Sequence, residues 1–200
     1  MIFFMIWLLL VGYAVFLAPG GETDPVLSNI FSGNFGEIDP LVFAVFNSLG
    51  LFPMVFLTLL LLNDRKKWPA WPFALLSFVV GAFSLLLYFA FGDRKAEKEL
   101  RTPGWRVRVL GSRFCLILLM VSLLSNGLTL LQGFSLAAYR EAFFASGLVS
   151  VMTVDWFVLW GLSVYAVHRF YPQAEFKALA WIPVIGPVLV LFANKKRGML

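Results

Sequence analysis

The sequence predicts an all-α membrane protein of about six transmembrane helices in one bundle, with five spans plus one re-entrant segment as the alternative. Three observations predict it. Hydrophobic residues make up 60% of the 200 positions and charged residues only 14%, a balance suited to lipid rather than water. Apolar runs at 2–18, 41–62, 71–91, 114–134 and 142–167 reach or approach the roughly 20 residues a helix needs to cross the hydrocarbon core, and a shorter run follows at 179–193. Trp68, Trp71 and Trp105 stand near run ends, where aromatic rings anchor at the headgroups. Residues 1–200 then form a single integral membrane domain, with an acidic loop at 19–40, a basic loop at 92–113 and a basic tail at 195–200.

The net charge of +5 does not indicate nucleic acid. The basic residues gather in short connections, which suits anionic lipid headgroups as partners. The single cysteine, Cys115, excludes an intrachain disulfide and any multi-cysteine metal site.

Run 2–18 has no basic segment before it and a poor small-residue cleavage site, because Phe16 stands three places before Pro19. It reads as an uncleaved helix rather than a signal peptide. The acidic loop carries Glu22, Asp24, Glu37 and Asp39. Asp24-Pro25 and Asp39-Pro40 each place a capping side chain before a proline suited to the first helical turn. The spacing of these acids matches no cation-binding loop, so a solvated loop with two caps is preferred over a metal site.

In run 41–62, Asn47, Gly50, Met54 and Thr58 fall near one helical face. Pro53 has no N–H for the Leu49 carbonyl, which invites a kink. In run 71–91, Ser77, Gly81, Ser84 and Tyr88 line one face of a continuous third span, a seam for a neighbouring helix. In run 114–134, Ser122, Ser125, Asn126, Thr129 and Gln132 recur at three- and four-residue steps. Such a stripe should face the bundle interior or a hydrated path.

Run 142–167 would form a helix about 39 Å long with one charge, Asp155, close to its middle. An ionised carboxylate at that depth costs on the order of 2.5–3.5 kcal/mol on insertion scales. Asp155 is therefore expected to be turned into protein, paired or protonated, and it is the leading functional residue. Ser146, Ser150 and Thr153 lie on the opposite face of the same helix. The last run contains Pro183, Gly186 and Pro187 and is expected to be irregular. His168 has no partner at metal-ligand spacing, and no phosphate loop, dinucleotide fingerprint or nucleophile motif occurs. No enzyme activity, cofactor or metal is expected.

Six spans with both ends inside would put the basic loop outside, against the positive-inside rule. A re-entrant 71–91 would put it inside. Orientation is open at this stage.

Asp39-Pro40 followed by FAVFNSLGLFP, then WPFALLSFVVGAFSLLLYF from Trp71, SVMTVDW around Asp155 and WIPVIGPVLVL from Trp181 together resemble a family of polytopic membrane proteins of cyanobacteria and plastids, with relatives in other bacteria. The family pattern has a proline near Leu87 and an acidic residue beyond the fifth span. This chain reads Leu87-Tyr88 and His168-Arg169 there, so no site is carried over to those positions. The resemblance implies a multi-pass protein of a bacterial cell membrane or thylakoid-type membrane, and no substrate.

The first expectation for function is a structural or assembly component of a membrane complex, with a membrane-protein partner or a homo-oligomer. The second is a small proton-coupled transporter using Asp155, with Asn47 and the Ser122–Gln132 stripe along its path. The third is a lipid-acting enzyme.

Overall fold

The structure, a computed structural model, describes residues 1–19, 24–64, 68–91, 104, 112–131, 133–174 and 176–196, with the side chains at 113–116 and 194–196 outside that set. Most of the basic loop, most of the basic tail, Glu22 and Gln132 therefore lie outside the described residues. The described residues form helices and turns, without a strand.

Helix α1 (Ile2–Gly12) continues into a wider turn, Tyr13–Leu17. Helix α2 (Pro25–Ser32) and helix α3 (Pro40–Leu61) begin as the Asp-Pro pairs imply. Asp24 Oδ1 accepts from the Val26 and Leu27 amides, and Asp39 Oδ1 from the Leu41 amide at 2.8 Å. Helix α3 runs through Pro53 without interruption and forms the centre of the core, with Phe52, Val55, Phe56, Leu59 and Leu60 fully buried. Helices α4 (Ala70–Val80), α6 (Arg113–Leu130) and α8 (Gly147–Phe170) pack around it. By length and composition, α3 and α8 are long and apolar enough to cross a membrane.

The continuous third span expected at 71–91 is not one helix. It breaks at Gly81 into α4 and α5 (Ala82–Phe91), and the halves fold back on each other. Ser84 Oγ donates to the Phe73 carbonyl at 2.9 Å, and the Phe73 and Tyr88 rings lie 5.5 Å apart. In a straight helix those pairs would stand about 16 and 22 Å apart. The reversal needs φ +54°, ψ −132° at Gly81, a conformation open to glycine alone at little cost. The expected seam therefore packs within the hairpin, where Ser77, Ser84 and Tyr88 are buried.

The run at 142–167 is also divided. Helix α7 (Leu136–Ala145) ends at Ser146, which is extended and caps α8 through the Val149 amide. Gly147 leaves no room for a side chain, because a Cβ there would stand 2.5 Å from the Pro19 carbonyl oxygen.

The last run is a second reversal. A tight turn at Lys177–Trp181 leads through Val184, at φ 60°, into α9 (Ile185–Lys196). Gly186 lies back against Leu179 and Ala180, so α9 doubles back beside the segment that precedes it.

Candidate functional site

Asp155 sits on the ninth residue of α8, with 5% of its surface exposed. Its partner comes from the hairpin at 70–91, which packs against α8. Asp155 Oδ1 accepts the Ala82 amide at 2.8 Å, and its carboxyl group occupies the space that a Cβ on Gly81 would need. The first backbone donors of a helix have no partner within the helix. Because α5 starts inside the bundle, one of those donors is met by a carboxylate 73 residues along the chain. A carboxylate at a helix start is also favoured by the aligned peptide dipoles.

Beside this contact lies a cavity of about 710 Å³, lined by Asp155, the hairpin residues Ser77, Gly81 and Ser84, and residues of α1, α3 and α8. Among the described residues, Asp155 is the sole ionisable one lining it. Trp7 of α1 also borders it, and its Nε1–H is buried without an acceptor. Helix α1 runs antiparallel to α8: Phe3 meets Tyr165 with ring centroids 4.8 Å apart, and Tyr13 Oη meets Ser150 Oγ at 2.6 Å. Trp7 therefore stands between the levels of Tyr165 and Ser150, on the cavity that Asp155 also lines.

A second cavity, of about 630 Å³, is lined by Ser122, Ser125, Asn126 and Thr129 of α6 together with residues of α3. The two cavities share Asn47, Gly50 and Phe78 as a common wall. Every described member of the expected polar set thus borders one of two adjoining spaces. Asn126 Nδ2 donates to the Ala44 carbonyl at 3.1 Å, while Asn126 Oδ1 is buried without a donor. Thr129 Oγ1 donates to the Asn126 carbonyl at 2.6 Å. Gln132 lies outside the described residues.

The face of α8 opposite Asp155 is filled from within the chain. Ser146 Oγ donates to Asp24, Ser150 meets Tyr13, and Thr153 Oγ1 meets Tyr139 Oη at 2.6 Å. Asp24 also accepts the Leu148 amide, so one carboxylate caps the starts of both α2 and α8. Partial burial opposes its ionisation, but the hydrogen bonds from Leu148, Ser146, Leu27 and Val26 outweigh that and hold Asp24 below the ordinary carboxylate value.

Sequence reasoning missed three parts of the site. Gly81 was readable as a packing glycine in a regular stripe, and Ala82 carried no signal. Trp7 had one: it stands in the middle of an apolar run rather than at an interface, where tryptophan is usually found. Among the described residues, no group of three His, Cys, Asp or Glu could hold a metal ion. No protein-family model, curated protein or solved structure matches the chain, so its chemistry is read from its own geometry.

Proposed function

We propose that the chain is an integral membrane protein with four spans, formed by 2–17, α3, α6 and α8, and two re-entrant hairpins, 70–91 and 177–196. We propose further that it acts as a small proton-coupled permease with Asp155 as its coupling group. The observation that carries this reading is the buried Asp155 carboxylate of α8 bonded to the start of the broken helix at Ala82, beside a cavity lined by no other ionisable group among the described residues. Interrupted helices inside a membrane are tolerated where they line a cavity, and transporters build substrate sites from them.

Outward-facing apolar side chains support the membrane setting. Leu9, Val79 and Leu124 are each more than 60% exposed, and extended apolar surface of this kind is costly in water. The ends of the elements support the topology. Phe3, Phe89 and Tyr165 meet at one face, where Asn63 also donates to Tyr171. Asp24, Asp39, Ser135 and Tyr139 gather at the other. With this order, every Lys and Arg of the sequence except Arg140 falls in a segment that begins or ends at the first face. The positive-inside rule then makes that face cytoplasmic and removes the conflict met by six spans. The assembly role loses one of its supports, because the small-residue seams are filled by Tyr13, Asp24, Tyr139 and the hairpin itself.

The test is proton movement in proteoliposomes carrying an internal pH dye, with an imposed pH step and a panel of amino acids, sugars, organic anions and organic cations. At least one solute should drive proton movement in wild type and not in Asp155→Asn. No Asp155-dependent movement with any solute, together with a stoichiometric partner retained on gentle extraction from the native membrane, would return the protein to an assembly role.

A further inference from the structure

We infer that the larger cavity binds a lipophilic organic cation, held by the Asp155 carboxylate against an aromatic wall and entering sideways from the bilayer. The inference rests on the membrane reading above and adds the substrate class.

Charge comes first. Among the described residues, no Lys, Arg or His lines the cavity, and one amide hydrogen bond does not neutralise a carboxylate in a low-dielectric setting. The groups facing Asp155 are Ala82 and Gly81 of the turn, Ser77 and Ser84 of the hairpin, Asn47 of α3 and Trp7 of α1. None carries positive charge or titrates near neutrality. The missing counter-charge must come from a bound cation or a proton, and the two compete for one carboxylate.

The walls describe the rest of the ligand. Trp7, Phe46, Phe78 and Phe83 border the cavity, and aromatic faces attract cations most strongly away from water. Pro53 leaves the Leu49 carbonyl without its helical donor, and Leu49 is another lining residue. A volume of about 710 Å³ suits a drug-sized molecule.

The rim sets the route. Leu76, Phe78, Val79 and Val80 line the cavity and are also exposed, Val79 by 82%. All four are apolar, so this mouth opens toward lipid rather than toward a polar vestibule. A solute using it must first dissolve in the bilayer, which favours a cation with an apolar body over a small hydrophilic one.

The experiment is equilibrium binding to the purified full-length protein in detergent. The probes are radiolabelled tetraphenylphosphonium and its anionic counterpart of the same shape, tetraphenylborate. Wild type should bind tetraphenylphosphonium saturably at one per chain, weakening as pH falls, and should bind tetraphenylborate at least tenfold more weakly. Asp155→Asn should lower tetraphenylphosphonium affinity at least tenfold. Gly50→Leu is the second variant, because a Cβ there would meet nothing within 4 Å and Gly50 lines both cavities, so the larger side chain takes up their shared space. It should abolish binding while leaving the Asp155 contact and the fold intact. Equal binding of the two ions, no saturable binding to wild type, or full binding in Gly50→Leu would overturn the inference. Failure here with Asp155-dependent proton movement driven by another solute would remove the substrate class alone. Binding without proton movement would keep the site and remove the transport reading.

Discussion

The chain reverses twice inside its own bundle, and the two reversals are stabilised in different ways. At 70–91 the turn rests on Gly81, and the helix that follows has its first amide bonded to a carboxylate on a distant helix. At 177–196 the turn is closed locally. The Ile185 amide donates to the Pro183 carbonyl, the Gly186 amide donates to the Ile182 carbonyl at 2.9 Å, and Pro187 has no amide hydrogen to satisfy. A helix start away from water needs its donors met or removed. The second hairpin meets that need from its own residues and leaves no ionisable group at its tip. The first borrows Asp155, and only there does a charge meet a cavity. The contrast separates a reversal closed by its own residues from one that brings a carboxylate to a cavity.

The largest expected effects lie at the two glycines. Gly81→Ala combines a positive φ with the loss of the Asp155 seat and should destabilise the protein by about 3 kcal/mol, read as a lower melting temperature in detergent. Repeating the change in an Asp155→Ala background should cost clearly less, because the obstacle has gone and only the backbone strain remains. Gly186→Ala should cost about 2 kcal/mol. Its obstacle is the Leu179 carbonyl, which no side-chain deletion can remove. If Asp155→Ala leaves the cost at Gly81 unchanged, the first hairpin is as self-contained as the second and the contrast fails.

A middle-sized effect should appear at Asp24, the carboxylate that caps the starts of α2 and α8. Its folded pKa is lowered, so its stabilisation is complete above the unfolded carboxylate value of about 3.9 and is lost as pH falls through the folded value. Asp24→Ala should cost about 1 kcal/mol at neutral pH, and the gap to wild type should narrow progressively as pH falls below the unfolded carboxylate value. A gap that widens in acid would show that Asp24 does not act as an ionised cap. The smallest effect should be at Pro187→Ala. It restores one donor to a start already closed by local bonds and should shift stability by less than about 0.5 kcal/mol in the same melting assay. A loss as large as that of Asp155→Ala would mean that the second tip also depends on its donor count.

Much of the candidate site could be read in advance because its signals are local or periodic. The α6 stripe follows from steps of three and four residues, and Asp155 from the cost of a charge in an apolar run. The Asp24 and Asp39 caps follow from contacts two or three residues long. The hairpin could not be read in this way. A mostly apolar run of 21 residues with one glycine satisfies a straight helix equally well, and every local propensity from Trp71 to Phe91 is compatible with one. The break at Ser146 was hidden for the same reason, since an apolar run does not show where its hydrogen-bond ladder stops.

By itself, the sequence determined the helical class, the helix starts and the presence of one uncompensated charge deep in an apolar chain. These follow from side-chain chemistry, hydrophobic period and composition, which act within a few residues. Only the tertiary structure decided that the chain folds back at Gly81, that Asp155 receives the Ala82 amide, and that Trp7, Asn47 and the α6 stripe border adjoining cavities. Those outcomes require an acceptor from one helix to arrive at a donor 73 residues away. Only packing of the whole bundle supplies that meeting.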